Sequence, residues 1–144
     1  MYIIVGDAAE GFTYEKLNCA LGLVLDGADM LALEMDRYWK QPQGLSLSAG
    51  PYVAALEYAT GKRAELMGKP SRQFFQMALN DLGRKPGNVA MVGDDIHTDV
   101  LGAQKMGMQG ILVKTGKYRA DWTQLSGAKP DMVCDSLASL IHRL

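Results

Sequence analysis

Short apolar runs alternate with amphipathic segments along most of the chain. Apolar runs bounded by turn residues predict buried strands, and apolar positions spaced three and four apart predict helices that cover them. The predicted strands are Met1–Val5, Met30–Met35, Glu65–Met67, Val89–Val92, Gly110–Lys114 and Met132–Val133. The predicted helices are Tyr14–Leu25, Pro51–Ala59, a segment capped by Ser71 that ends at Leu82, His97–Met106 and Leu137–Leu144. This alternation is typical of an α/β fold built on a doubly wound parallel sheet.

The clearest break in composition lies at Gln41–Gly50. The overlapping segment Arg37–Ser48 combines aromatic residues with Pro42 and Gly44, and we interpret it as a loop. Because loops of this composition often separate compact regions, the sequence predicts two lobes, formed by residues 1–45 and residues 46–144.

Length, charge and cysteine content narrow the class of protein. A chain of 144 residues is one ordinary domain or part of a larger enzyme, and 48% apolar residues are enough for a core. A net charge of −1 argues against nucleic-acid binding. No apolar stretch approaches the roughly 20 residues that span a bilayer, and the first residues lack the basic leader of a signal peptide. Cys19 and Cys134 lack metal-type spacing, so we expect reduced thiols in a cytoplasmic protein without membrane partners.

The strongest candidate chemistry lies in Gly93-Asp94-Asp95 and in Asp99, four residues further on. Asp94 and Asp95 come directly after the apolar run Val89–Val92, at the carboxyl end of a predicted strand, where open α/β sheets bind ligands. Clustered carboxylates repel one another unless a cation lies among them, and Mg²⁺ is the natural occupant of an oxygen-rich site. The alternative is a polar strand-to-helix turn in which Asp99 is favoured by the helix start.

Three predicted turns open at the same edge of the predicted sheet. Lys69 follows one strand, Asp94 and Asp95 follow the next, and Thr115 and Lys117 follow the third. Lysine binds phosphoryl oxygens as a point charge, and a metal ion bridges oxygen ligands. Each turn alone is typical of ordinary loops, but their convergence predicts a pocket for phosphate and metal, with Lys69, Thr115 and Lys117 binding phosphate or substrate.

Several segments between about Val5 and Arg119 follow the pattern of a known family. They are Tyr14-Glu15-Lys16-Leu17-Asn18, Gly50-Pro51, Ala55-Leu56-Glu57-Tyr58-Ala59-Thr60-Gly61-Lys62, Gly68-Lys69-Pro70, Gly93-Asp94-Asp95 with Asp99, Gly107-Met108, and Gly110-Ile111-Leu112-Val113-Lys114-Thr115-Gly116-Lys117-Tyr118-Arg119. Together they resemble the second half of a haloacid dehalogenase superfamily phosphatase with a large α/β cap. Within that subgroup, they resemble phospholysine phosphohistidine inorganic pyrophosphate phosphatase and related hydrolase-domain proteins.

The resemblance implies a fold, a cofactor and roles for individual residues. The implied fold is a partial haloacid-dehalogenase-like core with a partial α/β cap lobe, which would include Met1 to about Pro42. Lys69 matches the lysine that stabilises the nucleophile and the transferring phosphoryl group, and Asp94 matches the Mg²⁺-binding aspartate. Asp95 and Asp99 match acidic neighbours that hold the waters of the metal or orient the lysine. The implied reaction is Mg²⁺-dependent hydrolysis of a small phosphoric monoester, phosphoamide or pyrophosphate through an aspartyl-phosphate.

The main departure from the family is the nucleophile motif. The sequence contains no Asp-x-Asp, and although Asp7 follows the first predicted strand, Ala9 stands where the second aspartate should be. The chain therefore resembles the carboxyl-terminal part of a phosphatase that starts midway through the cap, and we expect little or no turnover from it alone. Missing core strands would leave sheet edges uncovered, which predicts a homo-oligomer or a strand-exchanged dimer.

Two other classes of protein compete with a phosphatase. A phosphoacceptor signalling domain also places an acidic pair, a threonine and a lysine at a parallel sheet edge. Its phosphoacceptor aspartate ends a strand between the acidic pair and the threonine, whereas here the strand after Asp95 leads directly to Thr115. A non-catalytic remnant that serves as an oligomerisation or interaction module stays open as the alternative function.

Several histidine and aromatic side chains have structural interpretations. His97 lies between the carboxylates in sequence but is expected on the surface of a helix, and His142 is expected in solvent. Tyr38, Trp39 and Tyr52 are expected to pack where the two lobes join, with a substrate pocket in the cap as the alternative.

Overall fold

The structure, a computed structural model, describes residues 1–141, without the side chains at positions 122, 124 and 125. Eight strands and six α-helices form among these residues. The strands are β1 (Tyr2–Val5), β2 (Asp29–Ala32), β3 (Tyr38–Gln41), β4 (Gly44–Leu47), β5 (Glu65–Leu66), β6 (Ala90–Gly93), β7 (Gln109–Val113) and β8 (Met132–Cys134). The helices are α1 (Tyr14–Leu25), α2 (Ala49–Thr60), α3 (Arg72–Leu82), α4 (Gly102–Gln104), α5 (Ala120–Leu125) and α6 (Leu137–Ile141). The predicted α/β class with parallel strand pairing is confirmed.

The chain forms two compact units, Met1–Gly68 and Lys69–Leu144. None of the helices among residues 1–141 combines the length and the apolar character needed to cross a bilayer. The end of the helix predicted over Leu137–Leu144, and His142 with it, lie outside the described residues.

The first unit contains a parallel three-stranded sheet in the order β1-β2-β5. Helix α1 begins after Thr13, whose hydroxyl accepts the N–H of Lys16, and α1 and α2 bury the apolar face of the sheet. The buried core consists of Val5, Val24, Met30, Ala32, Val53 and Leu56. On the opposite face of β1, Tyr2 and Ile4 are 67% and 63% exposed. The sheet is therefore covered by helices on one side.

The segment Arg37–Ser48 is a hairpin, which corrects the loop predicted there. Strands β3 and β4 pair antiparallel, with Tyr38 opposite Leu47. Pro42 lies in the turn that joins them, and Gly44 begins β4. Proline and glycine were expected to interrupt regular structure, but in a hairpin they are suited to the turn between the strands.

The pairing of β5 corrects the predicted sheet and bears on the predicted boundary. Leu31 and Ala32 of β2 lie opposite Glu65 and Leu66, so β5 belongs to the first sheet and not to the sheet of β6 and β7. Because this pairing and the packing of α2 hold residues 46–68 in the first unit, the division between units falls after Gly68. It thus differs from a division into residues 1–45 and 46–144. A composition break marks a surface turn and need not mark where contacts end.

Aromatic packing is visible inside the first unit. Tyr52 stacks on Phe12, with ring centroids 3.9 Å apart and an interplanar angle of 6°. Tyr38 is half-buried in β3, and the neighbouring Trp39 is exposed. Tyr52 therefore contributes to the packing of α2 on the segment that precedes α1.

The second unit contains a parallel sheet in the order β6-β7-β8, with packed side chains on both faces. Ile111 and Val113 of β7 pack with Leu140 of α6. Leu112 packs on the other face with Val100. This two-sided burial is the doubly wound arrangement that the sequence predicts.

Helix α3 begins and packs as its sequence predicts. The Oγ of Ser71 accepts the N–H of Phe74 at 3.3 Å, which satisfies one donor of the first helical turn. Phe75 is buried with Ala103 of α4. A short helix over Ala120–Leu125 was not predicted, since that segment has no clear apolar period.

Asp131 fixes the amino end of β7 to the chain that leads into β8. Its Oδ2 accepts the N–H of Gly110 at 2.8 Å and the side-chain N–H of Gln104 at 2.9 Å. The Gly110 amide and then the Gln104 amide hold the pKa of this carboxyl below its ordinary value. At the other end of the same strands, Lys114 pairs with Asp135 at 2.9 Å.

Candidate active site

The turn after β6 presents Asp94 and Asp95 at the carboxyl end of the strand. Asp95 begins the next helical segment, because its Oδ1 accepts the N–H groups of His97 and Thr98 at 2.9 and 3.0 Å. This capping arrangement fixes the Asp95 side chain by two bonds to its own turn. His97 is exposed and contributes its main-chain N–H.

The chain after Asp95 is a π-helical turn over Ile96–Leu101, where a regular helix was expected. The N–H groups of Asp99 and Val100 both donate to the carbonyl oxygen of Asp95, at 3.1 and 3.3 Å. Widened turns of this kind are frequent at functional sites. Asp99 and Val100 are adjacent in this turn and both are buried. The turn therefore places a carboxylate and an apolar side chain in the interior side by side.

Asp99, which is buried, forms an ion pair with the partly exposed Lys69. The Lys69 Nζ lies 2.7 Å from Asp99 Oδ1, and the N–H of Asp95 donates to Asp99 Oδ2 at 3.1 Å. The Asp99 residue is 3% exposed, whereas the Lys69 side chain is 38% exposed. Both carboxylate oxygens of Asp99 are thus paired, and the ammonium group that it holds can still reach solvent.

Lys117 contacts both members of the acidic pair. Its main-chain N–H donates to Asp94 Oδ2 at 2.6 Å, and its Nζ lies 3.1 Å from Asp95 Oδ2. The Lys117 and Asp95 side chains are 19% and 22% exposed, so their ion pair is largely shielded from water. Lys117 therefore links the turn after β7 to the turn after β6.

Two glycines make this close approach possible. A Cβ at Gly93 would overlap the carboxylate of Asp99, and a Cβ at Gly116 would overlap the carboxylate of Asp94. Gly116 also has a φ of 54°, in the left-handed region that disfavours side chains. Both glycines stand in turns that the sequence singles out, Gly93 directly before Asp94 and Gly116 directly before Lys117, but the sequence did not predict these close contacts.

The electrostatic surroundings of Asp95 favour its ionised form. Burial alone would raise the pKa of this carboxyl. The N–H of Thr98, the Lys117 ammonium and the N–H of His97 outweigh burial and hold the pKa below 3.8. Asp95 is therefore a fixed negative charge at neutral pH.

The lowered pKa of Asp95 predicts a defined acid dependence of stability. Because the pKa is lower in the folded chain than in the unfolded one, ionised Asp95 contributes stability above about pH 4 that is lost as the pH falls through the folded value. We expect the Asp95 carboxyl to titrate below 3.8 in an NMR titration. We also expect Asp95→Asn to lessen the fall in unfolding free energy below about pH 4.

Asp81→Asn, which alters an exposed carboxyl of α3, is the control and should keep the acid dependence of the parent chain. A midpoint for Asp95 at or above 3.8 would contradict the assigned contacts.

The structure joins most of the predicted site residues in one network. Lys69 pairs with Asp99, and Asp99 accepts the N–H of Asp95. Asp95 pairs with the ammonium group of Lys117, whose main-chain N–H donates to Asp94. Thr115 is exposed in the turn before Lys117, where its carbonyl oxygen accepts the N–H of Tyr118 at 3.0 Å. Lys69 thus lies beside the carboxylates that follow β6, although β5, the strand that precedes Lys69, pairs with β2 and not with β6.

Comparison with known proteins places this network in a family. The family model described as HAD-hydrolase-like, where HAD stands for haloacid dehalogenase, matches residues 66–140, which include every member of the network. Haloacid dehalogenase-like hydrolase domain-containing protein 2 from Homo sapiens is 45% identical, over 99% of this chain and 55% of the relative. Phospholysine phosphohistidine inorganic pyrophosphate phosphatase from Danio rerio is 43% identical, over 99% of this chain and 53% of the relative.

Solved structures show the same similarity. The p-nitrophenyl phosphatase from Archaeoglobus fulgidus gives a TM-score of 0.88 at 31% identity, over 99% of this chain and 56% of that one. The 4-nitrophenylphosphatase from Thermotoga maritima gives 0.88 at 30% identity, over 98% and 54%. The chain spans about half the length of the curated relatives it matches. The resemblance inferred from the turns is confirmed, and the chain belongs to the haloacid dehalogenase-like hydrolase family.

Proposed function

We propose that this chain forms part of a Mg²⁺-dependent phosphatase that acts on a small phosphoric monoester, phosphoamide or pyrophosphate through an aspartyl-phosphate. The observation that carries the proposal is the network at the carboxyl end of β6, where Lys69 is held by buried Asp99 beside Asp94 and Asp95. A cation for phosphoryl oxygens next to a carboxylate for a metal is what phosphoryl transfer requires. In this proposal Met1–Gly68 belongs to a cap and Lys69–Leu144 to the core.

The donor chemistry fits Mg²⁺ through Asp94. Its Oδ2 accepts the N–H of Lys117, and its Oδ1 accepts no hydrogen bond from the main chain or the side chains that the structure describes, so we assign Oδ1 to the metal. Asp95 and Asp99 use both of their oxygens on protein donors and would orient Lys117 and Lys69 instead. No group of three or more His, Cys, Asp or Glu side chains in the described part of the chain is placed to hold a metal ion. Water or residues of a longer protein would supply the other ligands.

Each residue of the network would have a separate task. Bound Mg²⁺ would neutralise charge on the phosphoryl group. Lys69, oriented by Asp99, would donate to a phosphoryl oxygen, and its partly exposed side chain leaves that oxygen a route of approach. Thr115, exposed in the neighbouring turn, is the candidate hydroxyl contact to substrate.

The sequence supplies no clear nucleophile for this reaction. Asp7 lies in the first unit, where its Oδ1 accepts the N–H of Ala9 at 3.1 Å, at the start of the turn Ala9–Gly11. Because attack on phosphorus requires the carboxylate that an Asp-x-Asp motif supplies in the family, we propose that the isolated chain does not turn over.

A magnesium titration followed by NMR tests the proposal. We expect Mg²⁺ to shift the amide signals of Asp94 and Lys117 with weak, millimolar affinity, because one protein carboxylate provides few ligands. Asp94→Asn should weaken that response by about tenfold or more. The same samples should not hydrolyse p-nitrophenyl phosphate in the presence of Mg²⁺.

Asp81→Asn, on the exposed surface of α3, is the matched control and should bind Mg²⁺ as the parent chain does. Absence of any shift near Asp94 at high millimolar Mg²⁺ would contradict the metal assignment. Robust hydrolysis that Asp7→Asn abolishes would show that the nucleophile has been misassigned.

Exposed apolar residues favour the second candidate function, a non-catalytic interaction module. Tyr2 and Ile4 lie on the face of β1 that α1 and α2 leave uncovered. Apolar sheet surface of this kind is typical of contact with another polypeptide. A homo-oligomer or a strand-exchanged dimer stays a prediction, and a chain that associates but ignores Mg²⁺ would favour this second function.

A further inference from the structure

Lys117 holds the two acidic residues after β6 by two different groups. Its main-chain N–H binds the Oδ2 of Asp94, and its Nζ binds the Oδ2 of Asp95. The second oxygen of Asp95 is itself fixed by the N–H groups of His97 and Thr98. The position of Asp95 is therefore fixed by its own turn, and its ion pair with Nζ in turn fixes the Lys117 side chain.

The anchored side chain determines where the N–H of the same residue lies. Gly116 permits the main chain at this point to approach Asp94 closely, because any Cβ there would overlap the Asp94 carboxylate. A carboxylate that accepts a hydrogen bond on one oxygen has a restricted rotation about its Cβ–Cγ bond. The N–H of Lys117 thus selects which oxygen of Asp94 stays available for other ligands.

We propose that Lys117 is a positioning residue, which fixes the Asp94 carboxylate so that Oδ1 is available to a divalent cation. This inference rests on the proposed function, because that proposal is what places Mg²⁺ at Asp94. It gives Lys117 a role different from the phosphate binding that the sequence suggests. The Lys117 ammonium acts through Asp95 and its own main chain, and it does not contact the cation.

Electrostatics and positioning predict opposite effects when the ammonium group is removed. An ammonium group near a cation site repels the cation, so its loss alone should tighten Mg²⁺ binding. If the main role of Lys117 is to hold Asp94, its loss should weaken Mg²⁺ binding despite the more negative site. The direction of the change therefore decides between the two roles.

The test compares three variants of the full chain. Lys117→Met removes the charge and keeps much of the side-chain length. Lys117→Arg keeps a cation that can reach Asp95. Lys114→Met removes a neighbouring cation that pairs with the exposed Asp135, and it is the matched control for charge. All three are titrated with Mg²⁺ by NMR, and the hydrogen-exchange rate of the residue 117 amide is measured without metal.

For Lys117→Met we expect Mg²⁺ affinity to fall about fivefold and exchange of the residue 117 amide to accelerate by about tenfold, since the hydrogen bond to Asp94 opens more often. Lys117→Arg should restore most of both, and Lys114→Met should leave exchange at residue 117 unchanged. Unchanged amide exchange in Lys117→Met, or tighter Mg²⁺ binding in it, would overturn the inference. If the parent chain binds no Mg²⁺, the proposed function fails, and the exchange rates measured without metal still decide whether Lys117 fixes Asp94.

Discussion

Replacing Gly93 with alanine is expected to lower the unfolding free energy of the Lys69–Leu144 unit by about 3 kcal/mol, one of the largest effects of any single methyl group in this chain. The added Cβ would occupy the space of the Asp99 carboxylate. Asp99 is buried and paired with Lys69 and with the N–H of Asp95, so it cannot move aside without breaking those contacts. Urea unfolding measures the loss.

Gly87→Ala is the matched control, because a Cβ at Gly87 meets no atom within 4 Å among the described residues beyond its chain neighbours. It should leave stability nearly unchanged or raise it slightly by restricting the unfolded chain. Equal stability of the two alanine variants would show that the carboxylate of Asp99 does not lie against Gly93.

Replacing Asp99 with alanine is expected to cost about 2–4 kcal/mol of unfolding free energy. The substitution leaves the Lys69 ammonium without its carboxylate and the N–H of Asp95 without an acceptor, and it opens space in the turn Ile96–Leu101. The lower end of the range is favoured because Lys69 is partly exposed and can regain water. Thermal and urea unfolding measure the change.

Two further variants show how much of this stability depends on the charge of Asp99 and how much on its burial. Asp99→Asn offers one acceptor oxygen where the carboxylate offers two, so it should recover part of the stability that alanine loses. Asp135→Ala removes the acid of the exposed ion pair with Lys114 and should change stability little. If Asp99→Ala cost no more than Asp135→Ala, the pair of Lys69 and Asp99 would contribute nothing beyond a surface contact.

Most of the helices and strands that were predicted correctly were predicted from local sequence patterns. Helix α1 spans the predicted Tyr14–Leu25, and α3 follows Ser71 as its cap indicates. The turns after β6 and β7 were predicted because parallel strands end at a common edge of their sheet. Apolar period, caps and strand ends depend on neighbouring residues, and for that reason a single sequence reveals them.

Features that depend on distant contacts could not be predicted in the same way. The pairing of β5 with β2 is a choice between two sheets, and a run of two residues carries no signal for either. The contact of Lys117 with Asp95 depends on how closely two turns approach, which the two glycines allow and the apolar pattern does not encode. The wide turn Ile96–Leu101 has the apolar spacing of an ordinary helix, so its extra width is invisible in the sequence.

The chain between β7 and β8 is fastened at both of its ends. Near the start, the N–H of Lys114 donates to the carbonyl oxygen of Cys134. Near the end, the N–H of Asp131 donates to the carbonyl oxygen of Gly110, and the Asp131 carboxylate accepts the N–H of Gly110. Closing a longer loop costs only about 0.6 kcal/mol for each doubling of its length, so residues inserted in the loop between Leu125 and Lys129 would add little strain. We therefore expect a change in the length of this loop to leave the Lys117 contacts and the register of the strands as they are.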